Sequence, residues 1–213
     1  MFFFSYTADF AGNKYCRTHA SVLYCPCNCI VSRSDAVSYT HLDVYKRQQV
    51  REGIERYAVV RTEEFGDIYA YEVDGYGQCN LMDDANVPSL LSMSYLGYEP
   101  LRPEVAENTR RFLLSDANPY YFHGTKAAGI GSPHTPSNYI WHIAMAMEGL
   151  TEKDHGRRLE ILRSLADCDG GTGMMHEGFH CDDPTRFTRK WFSWANAMYA
   201  ELLLSCIGEE VKK

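Results

Sequence analysis

"GGTGMMHEGFHCDDP" (Gly170–Pro184) decides how the second half of this chain is read, because it holds a literal His-Glu-x-x-His at His176, Glu177 and His180. On a helix, that spacing sets two imidazoles one turn apart on one face, where they hold a zinc ion while the glutamate polarises a bound water. The neighbouring residues oppose a helix. Gly170, Gly171 and Gly173 precede the motif, Gly178 lies inside it, and Pro184 follows. Glycine disfavours a helix interior by about 1 kcal/mol relative to alanine, and proline stops a helix outright. No third ligand follows at a zinc-peptidase spacing. The stretch is therefore read as a loop, with His176 and His180 as hydrogen-bonding loop histidines. The zinc peptidase stands as the lesser alternative, and no metal or cofactor is assigned.

Outward from this loop, helical spacing and punctuation organise the chain. "TRFTRKWFSWANAMYAELLLSCI" (Thr185–Ile207) reads as a closing helix with few charges, mostly buried. "TEKDHGRRLEILRSLADCD" (Thr151–Asp169) reads as a helix opened by a capping pattern at Thr151 and Asp154. "NYIWHIAMAMEGL" (Asn138–Leu150) is an apolar helix. "RPEVAENTRRFLLS" (Arg102–Ser115) has proline in its first turn, and "DANVPSLLSMSYLGY" (Asp84–Tyr98) reads as a helix with Pro88 near its start and Gly97 as its stop.

"DIYAYEV" (Asp67–Val73) alternates and runs into a turn, so it is a short strand or extended segment, and "VREGIERYAVV" (Val50–Val60) opens with helical spacing. Between the helices lies "DANPYYFHGTKAAGIGSPHTPS" (Asp116–Ser137), a loop long enough to be functional. Trp141, Trp191 and Trp194 are read as core residues before sugar platforms.

With 213 residues and a formal net charge of −7, the chain has room for one or two domains and lacks the basic face that nucleic acid or an anionic membrane demands. No apolar run approaches a membrane span, and "MFFFSYTADF" lacks the basic start and cleavage site of a signal peptide. The expected location is cytoplasmic. "CPCNC" (Cys25–Cys29) has spacing too tight for a zinc knuckle, and Cys79, Cys168, Cys181 and Cys206 show no framework, so reduced thiols are expected.

Residues 1–49 lack helical periodicity and caps, and "VSYTHLDVYKRQ" (Val37–Gln48) resembles translated sequencing adapter. The expected division is an artefactual or unstructured segment over 1–49, followed by one domain over 50–213.

Five stretches of that domain together resemble glycoside hydrolase family 125: "YAYEVDGYG", "LMDDANVPSLLSMSYLGY", "NPYYFHGTKAAGIGSPHTP", "YIWHIAMAMEGLT" and "GTGMMHEGFHCDDPTRFTRKWFSWANAMYAELL". The chain departs from the family pattern at Ser94 and His142, where proline is usual, and at Lys126, where a small residue is. The resemblance implies an all-α fold, part of an (α/α)6 barrel and here an incomplete toroid. It implies an exo-acting, inverting, metal-independent α-1,6-mannosidase that takes the non-reducing-end mannose of an α-mannoside oligosaccharide.

Glu177 matches the general base. The general acid is an Asp upstream of "DDAN", in a part absent here, so this chain is expected to be a truncated, inactive fragment. Asp83, Asp84 and Asn86 are implied as substrate-binding, with helix capping as the other reading of Asp84. His123, Gly124, His134, His176 and Arg189 are implied as pocket residues, with loop scaffolding as the alternative for His123, His134 and Arg189. A mannose-binding remnant without catalysis is the other functional reading.

Overall fold

The computed structural model describes residues 33–208. Cys16, the "CPCNC" stretch and the apolar start lie outside the described residues, as does most of the segment read as irregular. The order is α1 (Arg33–Tyr57), β1 (Val59–Thr62), β2 (Gly66–Tyr69), β3 (Glu72–Val73), β4 (Cys79–Asn80) and α2 (Pro103–Leu113). Then come β5 (Tyr121–His123), β6 (Ala128–Ile130), β7 (Tyr139–Trp141), α3 (His142–Leu150), α4 (His155–Asp167), β8 (Gly178–His180), β9 (Asp183–Thr188) and α5 (Ser193–Cys206). No described helix is long and apolar enough to cross a membrane.

The expected all-α architecture, part of an (α/α)6 barrel, is overturned. The described residues form four antiparallel sheets beside five helices, so the fold is mixed α/β. The difference lies in the two glycine-rich stretches read as loops. The first folds back as the β5–β6 hairpin, with Tyr121 opposite Ile130 and His123 opposite Ala128. The second supplies β8, the centre of the β7–β8–β9 sheet, and Tyr139–Trp141, read as helix, supplies an outer strand. Strands of three residues leave almost no alternation to read, and their partners lie far away in sequence.

Glycines let these pieces approach. A Cβ on Gly124 would stand 2.4 Å from the Cys181 carbonyl, and one on Gly131 2.2 Å from the Tyr139 oxygen. Only glycine permits either contact.

Helices α3, α4 and α5 pack together behind the sheet. Ile143, Ala146, Leu165, Phe179, Ala195 and Leu202 have no exposed surface. Gly149 on α3 sits so close to α5 that a Cβ would meet Leu202 Cδ2 at 2.8 Å. The capping of α4 differs from the reading at Thr151: Asp154 is the cap, its carboxylate accepting from the Arg157 amide at 2.7 Å. Thr151 closes α3 instead, donating to the Met147 carbonyl at 2.8 Å.

Two further expectations change. Residues 33–49 lie within α1, which is helical despite lacking an apolar stripe. Positions 44–50 are exposed, and Ile54 is buried near the C-terminal end of the helix. No helix forms over 84–98. That segment runs as bends and turns, because the Asp83 carboxylate takes the Leu90 and Leu91 amides at 2.9 and 3.0 Å. Ser92 then bonds back to Ser89, and Gly97 ends the run at φ 74° as a stop signal should.

Candidate active site

The β7–β8–β9 register gathers chemistry at one end of the sheet. Trp141 pairs with Gly178, and Gly178 pairs with Thr188. The residues just beyond that edge are His142 after β7, Glu177 before β8 and Arg189 after β9. Glu177 is nearly buried, with 14% of its side chain exposed, and its Oε1 lies 3.2 Å from Nε of Arg189. The guanidinium in turn lies over the Phe192 ring at 5.4 Å. Arg189 reaches this position at φ 46°, a left-handed conformation uncommon outside glycine.

The backbone around Glu177 is tied to its surroundings by side chains. Asn196 of α5 accepts from the Met175 amide at 3.1 Å and donates to the Met175 carbonyl at 3.0 Å. His142 Nδ1 lies 3.2 Å from the His176 amide nitrogen and 3.1 Å from the His176 carbonyl oxygen, while its Nε2 lies 3.1 Å from the Cys168 carbonyl oxygen. Burial, with the His176 ring alongside, pushes His142 down to about 4. Thr188 Oγ1 accepts from the Gly178 amide at 3.1 Å and lies 3.4 Å from the Gly178 carbonyl oxygen. Gly178 sits close against Trp141, where a Cβ would stand 3.0 Å from Cδ1.

His176 is fully buried, stacked on Phe187 with centroids 3.7 Å apart. Its ring nitrogens face the Asp169 carbonyl at 3.0 Å and the Arg189 carbonyl at 3.3 Å. Those contacts hold the ring within the loop. His180 sits within β8 and its Nδ1 accepts from the Asp182 amide at 3.2 Å. The helix that a zinc motif requires is absent from this stretch. Among the described residues, the one trio close enough to share an ion is His180, Cys181 and Asp182, which includes neither His176 nor Glu177.

The other residues singled out by sequence make contacts of their own. Asp83 has no exposed surface, and both carboxylate oxygens serve the Leu90 and Leu91 amides. Burial pushes it up to about 7 against the pull of those amides. Asp84 accepts from the Asn86 amide at 3.3 Å and the Asn86 side chain at 2.9 Å, so neither acts as a helix cap. The segment joins the sheets through Ala85, whose amide donates to the Gly131 carbonyl at 3.1 Å.

His123 is exposed and pairs with Asp116 at 2.8 Å, and Gly124 provides the close approach to Cys181. His134 is exposed, its amide donating to Ser132 Oγ at 3.2 Å. Of the tryptophans, Trp141 is buried as expected and donates to Thr135 at 3.0 Å. Trp191 is 65% exposed and Trp194 38%, so neither is a core residue here. Trp191 lies in the connector before α5 and outside the helix assumed for it.

Sequence reading missed Asn196 and His142. A neutral amide inside an apolar helix carries no local signal, and a histidine at the start of a helix gives none until its partners on the Cys168–His176 loop are known.

Comparison with known proteins places the chain in a family. A solved metal-independent α-mannosidase of Streptococcus pneumoniae, in a non-productive substrate complex with α-1,6-mannobiose, is 46% identical with a TM-score of 0.76. That match covers 85% of this chain and 42% of that one. The meiotically up-regulated gene 157 protein of Schizosaccharomyces pombe is 42% identical over 160 residues, 75% of this chain and 31% of that protein. The chain thus spans well under half the length of either relative. The model of the metal-independent α-mannosidases matches residues 27–204, and with the loops it covers now described, the chain belongs to glycoside hydrolase family 125.

Proposed function

We propose that this chain carries the base half of an exo-acting α-1,6-mannosidase site that works by inversion and without a metal ion. The carrying observation is Glu177, a nearly buried carboxylate 3.2 Å from Arg189 at a sheet edge. In an inverting glycosidase one carboxylate activates a water on the face opposite the leaving oxygen. A second carboxyl, about 6.5–9.5 Å away, protonates that oxygen. Glu177 takes the first role. Its Arg189 partner helps to hold the carboxylate in place.

The α-1,6-mannobiose bound by the pneumococcal relative supports an α-mannoside as substrate. The acid and the rest of the pocket belong to the larger part of the family fold that this chain does not span. By itself the chain is expected to leave α-1,6-mannobiose intact. A dinitrophenyl α-mannoside, whose leaving group needs no proton, is expected to be cleaved slowly.

The product anomer tests the mechanism. Proton NMR taken early in turnover should show β-mannose, and a chelator should leave the rate unchanged. α-Mannose as first product, or a rate that chelation abolishes, would contradict this reading.

A further inference from the structure

Resting on Glu177 as the base, we propose that Asn196 is a positioning residue for it, acting through the backbone of Met175. The Asn196 side chain has two N–H donors and one carbonyl acceptor directed at protein atoms. The acceptor takes the Met175 amide at 3.1 Å, and the amide nitrogen reaches the Met175 and Phe192 carbonyls at 3.0 and 2.8 Å. A residue that only reinforced the start of α5 would bond to Phe192 alone. Here two of the three bonds cross to a loop 21 residues earlier in the chain. They hold both backbone groups of Met175, as a strand partner would.

Two residues beyond Glu177 on the path out, Phe179 is locked in the sheet, and Gly178 is held by Thr188 in the same two-sided way. The chain is therefore gripped on each side of Glu177, from α5 on one side and β9 on the other. The carboxylate's position follows from these grips together with His142 on the His176 amide. A catalytic group tolerates displacement of only about 0.5 Å, and roughly 1 Å costs on the order of 100-fold in rate.

The test uses the whole 213-residue chain and dinitrophenyl α-mannoside. Asn196→Ala should lower kcat about 10- to 100-fold with KM nearly unchanged. Thr188→Val, which keeps the side-chain shape and loses the hydroxyl, should act in the same direction and covers the case in which Asn196→Ala folds poorly.

The decisive arm repeats each change in a Glu177→Ala background supplied with azide. Azide attacks the anomeric carbon opposite the leaving oxygen, a C–N bond forms as the C–O bond breaks, and dinitrophenolate leaves with the electron pair. No proton moves, so no base is needed. If Asn196 acts through Glu177, the azide rate is the same with Asn196 or Ala at that position.

An azide rate that falls as far as the water rate would overturn the positioning role and leave a structural one. Unchanged kcat in both single variants would also overturn it. A wild-type chain that hydrolyses the activated mannoside no faster than its Glu177→Ala variant contradicts the base assignment itself, a separate outcome from either.

Discussion

In the segment from Asp83 to Leu91, a carboxylate is spent on the backbone: both Asp83 oxygens serve amides, and the side chain has no exposed surface. In the segment from Met175 to Gly178 the arrangement is reversed. Side chains from three other elements hold the backbone there, and the Glu177 carboxylate is left with Arg189 beside it. Both loops carry acidic residues that the family resemblance places in a sugar site. The contrast shows why a carboxylate's neighbours matter more than its presence. An oxygen pair that satisfies two buried amides shapes a loop, whereas the base proposed at Glu177 is paired with a side chain instead.

That contrast can be broken at Asp83 first. Asp83→Ala should destabilise the fold by about 1–3 kcal/mol for each of the two orphaned amides, read as a shift in urea midpoint. A loss comparable to an ordinary surface change would mean that the turns over 89–93 hold themselves.

The next effect is on pH dependence. Burial holds Asp83 at about 7 in the folded chain, above the ordinary 3.8, so the folded chain holds the proton more tightly. Its stability contribution is complete at low pH and is lost as pH rises from about 4 to about 7. Wild type measured against Asp83→Asn should therefore lose ground across that window. The difference should amount to a few kcal/mol, since each pKa unit is worth about 1.4 kcal/mol. Parallel curves for the two proteins would remove burial as the dominant influence on Asp83.

The smallest effect calibrates the other two. Asp154 also serves an amide, through one bond at 2.7 Å, but at an exposed helix start. Asp154→Ala should cost about 1 kcal/mol, as helix caps do. If it costs as much as Asp83→Ala, burial is not what separates the two carboxylates.

Much of this was legible in the sequence where a signal was local. Pro103 marked the start of α2, the apolar runs located the bodies of α3 and α5 though not their starts, and the glycines around His176 correctly argued against a zinc helix. What stayed hidden depended on partners distant in the chain. Trp141 is a strand residue because Gly178 lies opposite, and nothing within Asn138–Leu150 announces that. The segment over 84–98 has helical spacing, yet a buried carboxylate just before it captures the amides a helix would have used. Glu177 could be singled out by resemblance, but its supports could not. Asn196 and Thr188 are common polar residues whose roles arise only when α5 and β9 close on the loop.

The central claim is that Glu177 is the residue this loop exists to present. It is tested most directly by Glu177→Gln in the 213-residue chain, with dinitrophenyl α-mannoside turnover and α-1,6-mannobiose binding measured side by side. The amide keeps the shape and cannot accept a proton from water. Turnover should fall about 100- to 10,000-fold while calorimetry shows binding within a few-fold of wild type. A Gln variant that turns over at the wild-type rate would contradict the account.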